Sequence, residues 1–124
     1  MNDLDSLVLM FKQQDNFMKL LQKERGFPNY PVDISSKTGQ RILKTIAYDT
    51  MQELFESIQL LKNSKEHRIT DVTDINREEF IEEISDCLHY LIEFMIVANV
   101  TPQEIYEMYM KKGEINVQRI KSGY

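Results

Sequence analysis

The chain has 124 residues, 42% of them hydrophobic, and a formal net charge of −5. That length suits one domain, residues 1–124, large enough to bury a core without covalent staples, and the apolar content excludes intrinsic disorder. The acidic balance gives no reason to expect tight binding to a nucleic acid backbone, which requires clustered Lys and Arg, and the single cysteine, Cys87, excludes an intrachain disulfide, so a reducing compartment such as the cytoplasm is expected.

The N-terminal stretch MNDLDSLVLMFKQQD opens on acids and its apolar run is short, so neither a signal peptide nor a membrane span is expected. Helical periodicity runs from about Asp3 to Arg25, with Leu4, Val8, Phe11, Met18 and Leu21 on one stripe and Leu9, Phe17 and Leu20 on another. Two stripes on one helix imply more than one packing neighbour. GFPNYPVDISSKTG then interrupts the helix with two prolines, and the pattern resumes over roughly Gln40 to Lys62 through Leu43, Ile46, Ala47, Met51, Leu54, Ile58 and Leu61.

NSKEHRITDVTDI reads as a polar connection. Asn76, with Glu79 three residues on, is a capping pattern that starts a third helix extending through Ala98. Thr101, Pro102 and Glu104 repeat the device for a fourth helix: an N-cap hydroxyl, a proline at the first helical position and a glutamate to close the box. With no strand pattern, internal repeat or low-complexity tract, the expected fold is all-α, a four-helix bundle-type protomer.

Carboxylates give the pattern its chemistry. At 100° per residue, Asp49, Glu53 and Glu56 share one narrow face of the second helix, and Glu79, Glu83 and Asp86 share one face of the third. Acids three or four apart ordinarily line a solvated face, but Ile84, Leu88 and Leu91 demand burial beside Glu83 and Asp86. If the two helices pack antiparallel, the acidic faces oppose each other and repel. A divalent cation such as Mg²⁺ relieves that repulsion, since it prefers oxygen ligands and is readily shared with substrate phosphates. His89 on the same helix reads by itself as a hydrogen-bonded structural residue.

The pair of motifs, E-x-x-E at Glu53 to Glu56 and E-x-x-D at Glu83 to Asp86, resembles the all-α nucleoside triphosphate pyrophosphatases, a superfamily that includes MazG-like enzymes and the dimeric dUTPases. The tail, with Tyr109, Lys112, Asn116, Arg119, Gly123 and Tyr124 at the positions of Y-x-x-K, N-x-x-R and G-Y, resembles the dimeric dUTPases and their bacteriophage dCTPase-dUTPase relatives. That resemblance implies catalytic and metal-binding roles for Glu53, Glu83 and Asp86, with Glu56 and Asp49 completing the Mg²⁺ ligands. It also implies phosphate or sugar contacts from Lys112, Asn116, Arg119, Tyr124 and the Lys62 and Lys65 of LKNSK, and base contacts from Gln13, Gln14 and His89. The chain departs from the pattern at Thr50, where the family's first glutamate falls, and at Ile120, where the family has Gln. The implied activity is conversion of a deoxynucleoside triphosphate, dUTP first and dCTP second, to monophosphate and pyrophosphate. A broader MazG-like house-cleaning activity and a non-catalytic helical module are the alternatives. The implied setting is the cytoplasm of a bacterial or phage-infected cell, with a homodimer or homotetramer as the assembly and with neither nucleic acid nor membrane as partner.

Overall fold

The computed structural model describes residues 3–123; Tyr124 and the side chains of Asp3 and Leu4 fall outside what is described. Four helices follow one another in the order α1 (Asp3–Arg25), α2 (Lys37–Ile58), α3 (Arg77–Val97) and α4 (Pro102–Lys121), and the described residues contain no strand. The all-α reading of the sequence therefore holds. No single helix among the described residues is long and apolar enough to cross a membrane.

Local chemistry sets the helix ends. Gly26 takes a left-handed φ of 69° just beyond α1, a conformation that costs glycine nothing. Helix α2 begins at Lys37, earlier than periodicity implies, because Ser36 is its cap: the Ser36 hydroxyl accepts from the Gly39 N–H at 2.9 Å. Asp33 holds the approach, its carboxylate accepting from the Ser35 N–H at 2.9 Å and the Ser35 hydroxyl at 2.7 Å. At the other end α2 stops at Ile58, short of the expected Lys62. The Ser57 hydroxyl donates to the Leu54 carbonyl at 2.6 Å, and the chain then closes with i→i−3 bonds from Leu60 to Ser57 and from Leu61 to Ile58.

Asn76 caps α3 by accepting from the Glu79 N–H at 3.1 Å. The helix ends in a Schellman turn, with Asn99 left-handed at φ 63° and the Val100 N–H donating to the Met95 carbonyl at 2.8 Å. Thr101 and Glu104 form the full reciprocal capping box on α4, with Pro102 at its start, as the sequence implies.

Contacts divide the chain into two compact units. Residues 3–32 and 95–123 make the first, in which α1 packs on α4 and Phe11, Met18 and Val97 are buried. The Val32 N–H donates to the Val97 carbonyl at 2.9 Å, and the Tyr30 hydroxyl donates to the Asp15 carboxylate at 2.6 Å, which ties the segment after α1 back onto that helix. The second unit, Asp33–Phe94, holds α2, the connection and most of α3, with Leu43, Ile46 and Ile92 in its core. Its two helices run antiparallel. The Cys87 thiol reaches the Thr50 carbonyl at 3.4 Å, Asp49 acts on Tyr90 and Glu93, and Glu56 acts on Glu83, so residue numbers fall along α3 as they rise along α2.

Candidate metal centre

The second unit places the acidic faces of α2 and α3 against each other. Glu53, Glu56 and Glu83 each offer a carboxylate oxygen, and those oxygens lie within 4.8 Å of one another. Glu56 is within hydrogen-bonding reach of both Glu53 and Glu83. Desolvation is the largest influence raising the Glu53 and Glu83 pKa values above the ordinary glutamate range. The Glu56 and Asp86 carboxylates add to it in both cases, and Glu79 adds further to Glu83.

One atom makes this arrangement more than a solvated face. Glu83 Oε2 is buried without a hydrogen-bond partner. A buried, unpaired carboxylate oxygen costs on the order of 1–3 kcal/mol or more, and the neighbouring acids add repulsion to that. Hard oxygen donors from two rigid helices, one of them lacking a partner, fit a small divalent cation. Glu53, Glu56 and Glu83 would hold it, and Asp86, exposed but close enough for its charge to act on Glu53 and Glu83, would complete the set.

Asp49, which shares the acidic face of α2, stands apart from this trio, about one turn back beside Tyr90 and Glu93 of α3. Glu93 is a residue that motif reading misses. It is only 6% exposed, and burial, followed by the Asp49 charge, pushes its carboxyl up to about 7. The signal was present: Glu79, Glu83, Asp86, Tyr90 and Glu93 are spaced four, three, four and three apart and so continue a single face. Tyr90 on that face is also raised, first by desolvation and then by Asp49, Glu93, Glu53 and Asp86.

The remaining candidates are distributed over both units. His89 is exposed on α3, and Lys62 and Lys65 are exposed in the α2–α3 connection. Lys62 borders a cavity of about 350 Å³ there, together with Leu60, Leu61, Ser64, Thr73 and Asp74 among others. In the first unit Gln14 is buried on α1, whereas Gln13 is exposed. Lys112, Asn116 and Arg119 are exposed on one side of α4, and Arg119 borders a surface depression of about 410 Å³ whose lining includes neither of the other two.

Among the described residues the protein is all-α, and two antiparallel helices bring carboxylates together around an unpaired oxygen, an arrangement that could hold a divalent cation. The chain is similar to the phosphoribosyl-ATP pyrophosphatase of Sulfolobus acidocaldarius, to which it is 32% identical over 77 residues, covering 51% of this chain and 81% of that protein. No family model matches the chain, and no solved structure matches it. By that relationship and its fold, the chain belongs to the MazG-like all-α nucleoside triphosphate pyrophosphatase superfamily.

Proposed function

We propose that the chain is a Mg²⁺-dependent deoxynucleoside triphosphate pyrophosphohydrolase that takes dUTP, and secondarily dCTP, to the monophosphate and pyrophosphate. The observation that carries the hydrolase reading is the convergence of Glu53, Glu56 and Glu83 around the unpaired Glu83 Oε2. Mg²⁺, when bound, supplies charge neutralisation for phosphoryl oxygens and a lowered pKa for a coordinated water. The carboxylates bind and orient; Glu53 or Glu83, whose proton affinities are raised, is suited to accept a proton from the attacking water. Lys112 and Arg119 bring two positive charges, and Asn116 an amide, to one side of α4, a set suited to triphosphate oxygens. Lys62 and Lys65 offer two more. Gln14, buried on α1, offers a fixed amide for a base edge, with Gln13 and His89 as further base contacts. The preference for dUTP rests on the tail pattern Tyr109, Lys112, Asn116, Arg119, Gly123 and Tyr124.

A second reading, a MazG-like house-cleaning pyrophosphatase of broader base range, is favoured by the similarity to a phosphoribosyl-ATP pyrophosphatase. Pyrophosphate release measured with dUTP, dCTP, dTTP and the ribonucleotides, with and without Mg²⁺, separates the two. Mg²⁺-dependent release selective for dUTP or dCTP is the expected result. Equal rates over all bases would transfer the assignment to the broad enzyme, and no Mg²⁺-dependent release with any nucleotide would leave a non-catalytic helical module. We place the protein in the cytoplasm of a bacterial or phage-infected cell, where such a substrate pool exists.

A further inference from the structure

The connection between α2 and α3 is anchored beside the acidic cluster at both ends. It leaves α2 at Ile58, two residues after Glu56, and enters α3 at Arg77, two residues before Glu79. Residues 59–76 lie between, and such a length without regular structure is uncommon in a compact domain unless the segment closes over or binds something. Every residue from Leu61 to Glu79 is exposed, Ile69 almost completely. Among the described residues, the Arg68 N–H donating to the Lys65 carbonyl at 3.2 Å is the only backbone hydrogen bond made between Lys62 and Ile75. The two arms stand apart round the cavity of about 350 Å³, Leu61 and Lys62 on one side and Val72 and Thr73 on the other. Little packing therefore holds the segment where it is.

Charge is divided along the connection. The first arm, through Arg68, carries Lys62, Lys65 and Arg68 against a single acid, Glu66; the second carries Asp71 and Asp74 and no base. The turn closed by the Arg68–Lys65 bond sets two of the cations at the tip. Among the described residues, no ion pair or side-chain hydrogen bond engages Lys62, Lys65 or Arg68. The other Lys and Arg residues of this unit are poorly placed for the acidic site. Lys44, Arg41 and Lys37 precede Glu53 by nine to sixteen residues, about 14–24 Å back along α2, and Arg77 lies six residues before Glu83, about 120° round α3.

We infer that the connection is a strap that closes over a bound triphosphate, with Arg68 as the residue that reaches its oxygens and Lys65 beside it. The inference rests on the hydrolase reading above and extends it to a further residue and a movement. A divalent cation among Glu53, Glu56, Glu83 and Asp86 leaves that end of the unit negative, and a triphosphate adds to the excess, so more positive charge must come from the protein. A guanidinium supplies it as a planar fork that pairs with two phosphate oxygens at once. Arg68 stands ten residues from Ile58 and nine from Arg77, tethers that extend to about 30 Å, whereas Ile58 to Glu53 spans about 8 Å of helix. The charges acting on Glu53 and Glu83 are all carboxylates, so the strap as described stands open. Asp71 and Asp74, repelled by the same negative site, keep the second arm to the outer side of the closure.

The test is limited trypsin digestion of the full chain, read by mass spectrometry at Lys62, Lys65 and Arg68, beside the pyrophosphate-release assay. Cleavage at these sites should be fast in the chain alone and unchanged by Mg²⁺. It should slow about tenfold or more with Mg²⁺ and the α,β-imido analogue of dUTP, or of the nucleotide hydrolysed fastest. Arg68→Gln should raise KM for the triphosphate about tenfold or more, with far-ultraviolet helicity and urea midpoint unchanged, and Arg68→Lys should recover part of the loss. Arg41→Gln, which removes a like charge towards the far end of α2, should leave KM as it was. Mg²⁺-dependent release accompanied by equal cleavage with and without the analogue, or by a KM that Arg68→Gln does not move, would overturn the strap and leave the hydrolase standing. Absence of release from every nucleotide would overturn both.

Discussion

Replacing Glu93 with Gln should make the metal-free chain more stable at pH 8 while changing little at pH 5. The side chain is 6% exposed, and its carboxyl is moved from an ordinary 4.5 to about 7, first by desolvation and then by Asp49. The folded state thus binds this proton more tightly than the unfolded state does. Stability owed to the group is present in full below about pH 4.5 and falls by about 1.4 kcal/mol per pH unit until the carboxyl ionises near pH 7. Integrated over that window, ionised Glu93 opposes folding by about 3 kcal/mol, a large part of the 5–15 kcal/mol typical of a domain. Glutamine keeps the shape and removes the titration. Urea denaturation followed by circular dichroism, with chelator present, measures the effect as the difference between variant and wild type at each pH. Glu53 and Glu83 titrate in the same direction in both proteins and cancel in that difference. A difference that stays constant from pH 5 to pH 8 would refute the placement of Glu93 in a low-dielectric site beside Asp49.

Glu83→Gln should raise the urea midpoint of the metal-free chain above pH 5, because it relieves a carboxylate crowded by Glu56, Asp86 and Glu79, and should abolish Mg²⁺-dependent pyrophosphate release. Gain of stability without loss of turnover would separate this residue from the chemistry. Tyr30→Phe deletes the 2.6 Å bond to Asp15 and should cost about 1 kcal/mol at neutral pH, discounted for the partial exposure of that carboxylate. Asp15 is lowered chiefly by this bond, so the wild-type advantage should shrink as pH falls below 3.8, which urea midpoints along a pH series would register. Thr101→Ala removes half of the α4 capping box and should cost about 1 kcal/mol by the same measurement, with no effect on the affinity for Mg²⁺.

Where local chemistry decides, the sequence was readable. Four helices follow from 3.6-residue periodicity, and the α3 and α4 starts follow from Asn76 and from Thr101 with Glu104, because a cap acts within one turn of the residue that provides it. The α2 ends were harder: Ser36 precedes a glycine that periodicity discounts, and Ser57 tightens the final turn through a bond that only coordinates reveal. Opposition of Glu53 and Glu56 to Glu83 could be anticipated from spacing, since an antiparallel pair brings matching faces together. The burial of Glu93 could not, because its position on the acidic face is compatible with solvent and with core alike. Nor could sequence rank the apolar sectors of α2. Leu43 and Ile46 are buried while Met51, Leu54 and Phe55 stay exposed, yet all are equally apolar, and local pattern alone does not tell them apart.

Two oppositely unsatisfied surfaces thus arise from one contact line. Where α2 meets α3 along the line through Thr50 and Cys87, a narrow sector of each helix faces the other, so whatever lies to either side is left at the margin of the contact. On one margin stand the carboxylates, whose crowding raises the energy of the metal-free fold and would be relieved by a divalent cation held there. On the other stand apolar side chains, Phe55 and Leu88 among them, whose exposure to water is relieved by further burial. Both margins leave the isolated, metal-free unit less stable than its core alone would make it, one through crowded charge and the other through exposed apolar surface. On the proposed reading, Mg²⁺ added to the metal-free chain should raise its urea midpoint, by an amount set by its concentration relative to its Kd.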